Sequence, residues 1–318
     1  MGPEVPHHVL RSLPLLACAL LGSGACTFTP APSRPCPPLP PPPALLRTAP
    51  PAPRLLALND DGTGRLTGTL AAGDERIEFT WLRHRDGLPT RPCVLLVPIL
   101  AGGAELMTSV ANRMFARDFD VAWCERAGSA LVAPQRGRDL DELLRRTVLH
   151  QRALLHWLRR AEAPPPQQFV LGISMGGMVG AILGAAEPDL DGLAICLAGG
   201  DFPSLVLASG ERRVQRWVDW RRRTDGVGDD HLGWELRQQL RLEPLRVAPS
   251  IDTRKVLFVS AQFDDVVPRR NQDLLWEALG RPARLRVPFG HYTAALAIDE
   301  ILGAAAAHFR ARCRSTES

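Results

Sequence analysis

Apolar runs alternate with amphipathic segments along most of this 318-residue chain, and this alternation limits the fold more than any other feature of the sequence. Residues 93–100 (CVLLVPIL) are apolar throughout, which is typical of a strand buried on both faces of a sheet. Residues 139–160 instead place leucines on one side of a helix and arginines on the other. Strands that alternate with helices predict right-handed βαβ units around a mostly parallel sheet. The sequence therefore predicts an α/β fold.

The same patterns predict the order of the elements. An antiparallel pair of strands at residues 65–70 and 76–83 is expected first. Asp139 is expected to cap the long helix, which the prolines at 164–166 end. The later strands are predicted at 93–100, 120–125, 169–173, 193–198, 255–260 and 284–287, and the helices at 105–117, 139–160, 177–186, 271–279 and 294–312.

The most informative motif is Gly-x-Ser-x-Gly, which occurs as GISMG at residues 172–176. A predicted strand precedes Ser174, and a predicted helix rich in Ala and Gly follows it. This is the context of a nucleophile elbow, a tight strand-to-helix turn that exposes the serine. The glycines allow close backbone contact, and the helix N-terminus directs free N–H groups to the place where negative charge develops. Ser174 is therefore the candidate nucleophile.

A serine nucleophile needs a base and a carboxylate that orients the base. Because the chemistry of parallel sheets lies beyond the carboxyl ends of the strands, both partners should follow later strands. Asp264 follows the strand predicted at 255–260, and His291 follows the last predicted strand. Asp265 and Asp201 are the alternative carboxylates. Structural or solvated roles are expected for the other histidines, His84, His150, His156, His231 and His308.

The order Ser…Asp…His resembles that of the α/β-hydrolase family, over roughly residues 65–312. The resemblance depends on GISMGG at the elbow, on Asp264 in DDVVP and on Gly290-His291. It implies the α/β-hydrolase fold, with a mostly parallel central sheet flanked by helices. It also implies Ser174 as nucleophile, His291 as base and Asp264 as orienting acid, because the acid in this family commonly heads an Asp-x-x-Val-Pro stretch.

The expected activity is that of a serine hydrolase, which cleaves a small carboxylic ester through an acyl-enzyme. No metal ion or organic cofactor is implied. Because fold and triad do not determine the leaving group, a peptidase and a thioesterase remain alternatives. A non-catalytic binding protein of the same fold is a further alternative.

Members of this family stabilise the reacting oxygen with two backbone N–H groups. The N–H of Met175, directly after the nucleophile, is expected to be the first. The second should follow the strand at 93–100, where the family usually has His-Gly and this chain has Pro98-Ile99. Since proline has no N–H, Leu100 is the predicted donor and Ala101 the alternative.

Members of the family insert a cap over the site between the strands predicted here at 193–198 and 255–260. A small helical cap is therefore expected at about residues 202–250. Within it, apolar residues share helical spacing and lie among arginines: Val214, Trp217, Val218 and Trp220. In one interpretation they face a substrate, as in a lid, and the arginines contact an anionic substrate or a lipid headgroup. In the other they pack beneath an ordinary cap helix whose arginines are solvated.

The first residues of the chain resemble a bacterial lipoprotein signal. An apolar segment at 13–22 follows Arg11 and precedes small residues and Cys26. Residues 1–26 are therefore expected to direct export, with membrane attachment through a lipidated Cys26, or a periplasmic or extracellular location. Cys18 is a second candidate, and a disordered cytoplasmic N-terminus is the alternative.

Half of the residues from Pro30 to Pro53 are proline. Because proline cannot join a helix interior or a central strand, residues 27–54 are predicted to form an extended, disordered tether.

Composition excludes several other classes. The 38 basic and 34 acidic residues give a net charge of +4, which is too small to indicate a nucleic-acid partner. The seven cysteines show no Cys-x-x-Cys spacing, so they do not indicate a metal site.

Overall fold

The computed structural model describes residues 25–32, 38–85, 90–99 and 104–313. Within these residues, ten strands form one sheet. The strands are β1 (Thr27–Thr29), β2 (Arg54–Asp60), β3 (Arg65–Ala72), β4 (Glu75–Leu82), β5 (Cys93–Val97), β6 (Asp120–Cys124), β7 (Gln168–Ile173), β8 (Gly192–Cys196), β9 (Val256–Ala261) and β10 (Ala283–Val287).

The sheet is parallel in its centre and antiparallel at both sides. Its strand order is β1-β10-β9-β8-β7-β5-β6-β4-β3-β2. The strands from β10 to β6 pair in parallel, whereas β1 and the β4-β3-β2 meander pair antiparallel. The predicted α/β fold is confirmed.

Helices cover both faces of the sheet. Helices α2 and α10 pack on one face, and α3, α4 and α9 pack on the other. The helices are α1 (Ala44–Arg47), α2 (Ala104–Phe115), α3 (Gly137–Leu158), α4 (Met175–Ala186), α5 (Phe202–Ala208), α6 (Arg212–Asp225), α7 (Asp229–Gln239), α8 (Pro244–Val247), α9 (Arg269–Ala278) and α10 (Ile298–Cys313).

Three local predictions differ from the structure. Asp139 does not cap α3, because it is the third helical residue and its carboxylate accepts the N–H of Arg136, the actual N-cap. The last predicted helix starts as a 3₁₀ turn at Thr293–Ala297 before α10. Strand β2 was not predicted, because all seven of its residues are exposed at a sheet edge and give no alternating pattern of burial.

Parts of the predicted tether pack against the rest of the fold. Strand β1 pairs with β10, and Leu46 of α1 is buried in the core. Arg152 donates a hydrogen bond to the carbonyl of Thr48. The sequence Ala-Leu-Leu-Arg interrupts the prolines and supplies both backbone donors and an apolar side chain, so the description as a disordered tether does not fit these residues.

Helices α5 to α8 occupy the position of the predicted cap, between β8 and β9. The apolar side of α6 is buried in the core: Trp217 is 2% exposed, and its indole N–H donates to the carbonyl of Gln135. Arg221, also buried, donates to Asp225 and Glu235. The structure thus agrees with an ordinary packed cap helix.

No helix within the described part of the chain is long and apolar enough to cross a bilayer. The apolar segment of the predicted signal lies outside the described residues, and Cys26 is exposed. Export and attachment through Cys26 stay predictions.

A half-buried histidine of α10, His308, links the stability of the fold to pH. Nε2 of His308 lies 3.0 Å from the carbonyl oxygen of Lys255 and donates to it. Burial, and secondarily the charge of Arg312, lower the pKa of His308 to about 4. Since an unfolded histidine has a pKa near ~6.5, the unfolded chain binds the extra proton first as the pH falls.

We therefore expect the free energy of unfolding to decrease as the pH is lowered from ~6.5 to ~4, with about 3 kcal/mol due to His308. Urea denaturation of the wild type and His308→Gln across this range measures the effect, and the variant should lose part of the slope. The exposed His231, changed to Gln, is the matched control. Identical slopes for the wild type and His308→Gln would contradict the assignment.

Candidate active site

Ser174 lies between β7 and α4 in a strained backbone conformation. Its φ of 57° and ψ of −123° fall in a region that residues with a side chain rarely adopt. The turn is held because the N–H of Ser174 donates to the carbonyl of Cys196 in β8 at 2.8 Å, while its own carbonyl accepts from Gly177. The strain is typical of a turn whose geometry is fixed by its surroundings in order to present one side chain.

The glycines on either side of Ser174 permit this turn. A Cβ on Gly176 would lie 2.4 Å from the carbonyl oxygen of Val97 at the end of β5. A Cβ on Gly172 would lie 2.1 Å from the carbonyl oxygen of Gly176. Both distances are too short for any side chain, so the motif requires glycine at these positions.

The structure brings Ser174, Asp264 and His291 together at the carboxyl edge of the sheet. His291 Nε2 lies 3.0 Å from Ser174 Oγ, and His291 Nδ1 lies 2.8 Å from Asp264 Oδ2. The three side chains follow β7, β9 and β10, and they are separated by 90 and 27 positions in the sequence. The arrangement can hold the imidazole with one nitrogen toward the carboxylate and the other toward the hydroxyl.

The carboxylate of Asp264 is fixed by the backbone. Its Oδ1 accepts the N–H groups of Val266 and Val267 at 3.0 and 2.7 Å, which leaves Oδ2 for His291. The Asp264 side chain is 0% exposed and that of His291 is 8% exposed. Exclusion of water strengthens the hydrogen bond between them.

The alternative carboxylates have other positions. Asp265 is exposed, and its backbone carbonyl accepts the N–H of Gly210. Asp201 precedes α5 in a left-handed conformation, and its carbonyl accepts the N–H of Leu205. The carboxylate that contacts His291 is that of Asp264.

One of the two predicted oxyanion donors, Met175, lies at the start of a helix. Met175 is the first residue of α4, and within the described chain its N–H has no acceptor. The free N–H groups and positive end of the helix dipole therefore point to the surroundings of Ser174. Leu100 and its alternative Ala101 lie outside the described residues, so the second donor stays a prediction.

A cavity of about 230 Å³ opens beside Ser174 and His291. Apolar side chains line most of it, and they come from the end of β5, from α2 and β7, and from the start of α10. The apolar lining includes Ile99, Leu106, Ile173, Leu197, Val266, Ala294, Ile298 and Ile301.

Two polar rim residues of this cavity were missed by the sequence reasoning. The hydroxyl of Tyr292 donates to Glu211 Oε2 at 3.0 Å, and both side chains line the cavity. Glu211 caps α6 through its other oxygen, which accepts the N–H of Arg213. Desolvation, followed by the hydrogen bond to Glu211, raises the pKa of Tyr292. The position of Tyr292 directly after His291 was the available signal.

The other histidines lie apart from this site. His150 contacts Glu75, and His156 contacts Glu187, whose pKa is about 2 because hydrogen bonds from His156 and Arg152 outweigh its burial. No group of three His, Cys, Asp or Glu residues suited to a metal ion occurs in the described chain.

Comparison with known proteins identifies the fold. A scan of protein-family models and a search of curated proteins found no match. Among solved structures, acetyl xylan esterase 1 from Thermoanaerobacterium sp. aligns with a TM-score of 0.57 and 16% identity, over 80% of this chain and 88% of that chain. The 2,6-dihydroxy-pseudo-oxynicotine hydrolase aligns with a TM-score of 0.58 and 17% identity, over 76% and 66% of the two chains.

An esterase from Pyrococcus furiosus aligns with a TM-score of 0.56 and 12% identity, over 82% of this chain and 98% of that chain. At such identities the likeness concerns the fold alone. The chain has the α/β-hydrolase fold.

The elbow supplies a matched pair of glycine substitutions within one helix. Gly176→Ala should destabilise the fold by about 1–3 kcal/mol, because the new methyl group overlaps the carbonyl of Val97. In Gly180→Ala the new methyl lies 3.5 Å from Val170, an ordinary contact, so the higher helix propensity of Ala should stabilise by up to about 1 kcal/mol. Urea denaturation compares the two; equal stabilities would show that the elbow does not need this close approach.

Proposed function

We propose that this chain is a serine hydrolase that cleaves carboxylic esters through an acyl-enzyme. The observation that carries the proposal is the continuous hydrogen-bonded series from Ser174 through His291 to Asp264. The strained turn at Ser174 and the adjoining apolar cavity support it. The N–H of Met175, which has no acceptor among the described residues, supports it as well.

The first half-reaction begins with attack by Ser174 Oγ on the ester carbonyl. His291 Nε2 takes the hydroxyl proton as the new carbon–oxygen bond forms. Asp264 holds the imidazole in the tautomer with hydrogen on Nδ1 and stabilises the positive ring. The carbonyl oxygen becomes an oxyanion next to the N–H of Met175 and the N-terminus of α4.

The intermediate then collapses. His291 gives its proton to the departing alcohol oxygen, which leaves the acyl group attached to Ser174. A water molecule attacks the acyl-enzyme in the second half-reaction, with His291 again acting as base. His291 then gives this proton to Ser174 Oγ as the carboxylic acid leaves, which restores the free hydroxyl, so the ester and water are the only reactants.

Substitutions in the triad test this proposal. Ser174→Ala and His291→Ala should each lower kcat for p-nitrophenyl esters by more than about 10⁴-fold, because nucleophile and base act as one unit. Asp264→Asn should cost about 10⁴-fold through loss of the correct imidazole tautomer. Asp265→Asn removes the adjacent, exposed carboxylate and is the matched control.

Hydrolysis rates and labelling by a fluorophosphonate are the measurements. A well-folded wild type that neither reacts with the probe nor cleaves esters would favour a non-catalytic binding protein. Cleavage of aminoacyl amides or thioesters in preference to esters would instead assign the same triad to a peptidase or thioesterase.

The cavity further limits the acyl group. The cavity of about 230 Å³ is smaller than most ligand pockets, which enclose roughly 300–1,000 Å³, so it favours a short acyl chain. We expect kcat/KM across p-nitrophenyl esters to be highest for acyl chains of roughly four to six carbons. The rate should fall steeply at twelve carbons.

Ile298→Ala provides a direct check, because Ile298 lines the cavity at the start of α10. The smaller side chain should move the optimum to longer acyl groups. Leu296→Ala, at an exposed position two residues earlier, is the matched control. An unchanged optimum in Ile298→Ala would show that the acyl chain does not occupy this cavity.

A further inference from the structure

Arg126 lies beside the nucleophile elbow. It follows β6, at the same edge of the sheet as Ser174, and its Nη1 lies 3.9 Å from the sulfur of Met175. Met175 is the residue directly after Ser174 and the predicted oxyanion donor. The guanidinium therefore contacts the residue that directly follows the nucleophile, although neither the notable sequence motifs nor the triad involves it.

This arginine differs from the three buried arginines of the described chain, each of which is paired with a carboxylate. Arg152 contacts Glu187, Arg221 contacts Asp225 and Glu235, and Arg284 contacts Asp273, all at 2.5–2.8 Å. Arg126 is half-buried, and no carboxylate of the described chain forms an ion pair with it.

A second guanidinium increases the positive charge at this point. Burial, and next the charge of Arg213, lower the pKa of Arg126, while Glu125 acts weakly in the opposite direction. Arg213 is the second residue of α6, whose N-cap Glu211 accepts the hydroxyl of Tyr292.

Arg126 and Arg213 are not among the residues that line the apolar cavity. The cavity lies on the side of α2 and α10, whereas Arg126 follows β6 and Arg213 belongs to α6. A partly desolvated cation without a counter-ion is unfavourable, and a bound anion offsets that cost. Guanidinium groups match the planar geometry of a carboxylate with two parallel hydrogen bonds.

We propose that Arg126 binds a carboxylate on the alcohol part of the substrate, with the charge of Arg213 as a further attraction, while the acyl part occupies the apolar cavity. The inference rests on the proposed esterase function and defines its substrate class, short-chain acyl esters of alcohols that carry an acidic group. The carboxylate is recognised at Arg126, and ester cleavage at Ser174 is unchanged in mechanism.

A pair of esters that differ in one charge tests the inference. The butyrate esters of 4-hydroxybenzoate and of 4-hydroxybenzamide have the same acyl group and nearly the same shape. The readout is kcat/KM for the anionic ester divided by kcat/KM for the neutral ester. A general change in the activity of the site alters both values equally and leaves this ratio unchanged. In the wild type this ratio should exceed that of the uncatalysed hydrolysis.

Arg126→Gln should lower the ratio by about 10- to 100-fold, the range for a hydrogen bond to a charged group. Arg126→Lys keeps the charge without the paired donors and should lower it less. Arg213→Gln, on the cap helix, should also lower the ratio. This variant keeps the test decisive if Arg126→Gln does not fold. Arg138→Gln alters an exposed arginine of α3 and should keep the wild-type ratio.

A ratio in Arg126→Gln and Arg213→Gln equal to that of the wild type, with both esters cleaved, would overturn the inference and leave the esterase proposal intact. Failure of the wild type to cleave either ester would overturn both proposals.

Discussion

The hydrogen bond between Ser174 Oγ and His291 Nε2 is the contact on which the rest of the site depends. It joins the end of β7 to the loop after β10, although β8 and β9 lie between these strands in the sheet. Asp264, after β9, contacts the other ring nitrogen of His291, and two backbone N–H groups hold its carboxylate in place. Because the centre of the sheet is parallel, the carboxyl ends of these three strands lie at the same edge.

Close packing of the elbow gives this contact its geometry. Gly176 lies against the carbonyl of Val97, and the N–H of Ser174 donates to the carbonyl of Cys196. The elbow is therefore fixed between β5 and β8, the strands on either side of β7. Strain at Ser174 is offset by these contacts, and the serine presents its hydroxyl to His291 without a rearrangement.

Sequence patterns predicted the centre of the molecule because buried strands and nucleophile turns have strong local signatures. The apolar run of β5 and the glycines around Ser174 carry information in adjacent residues. The pairing of Asp264 with His291 was predicted from the order of the strands and from the resemblance to a family. The choice of Asp264 over Asp265 agrees with the contact that the structure shows.

The edge of the sheet and the rim of the cavity could not be predicted from sequence patterns, because contacts between residues far apart in the chain determine them. Strand β2 has no buried face, and Glu211 meets Tyr292 across 81 positions of sequence. Arg126 was indistinguishable in a chain whose basic residues are nearly all arginine. Its contact with Met175 at the elbow, together with its partial burial, sets it apart in the structure. The most direct measurement is intact-protein and peptide mass spectrometry after treatment with a fluorophosphonate. One adduct per chain, located on Ser174 and abolished in His291→Ala, is the expected result; an unmodified protein, or an adduct on another residue, would contradict the assignment of Ser174 as the nucleophile.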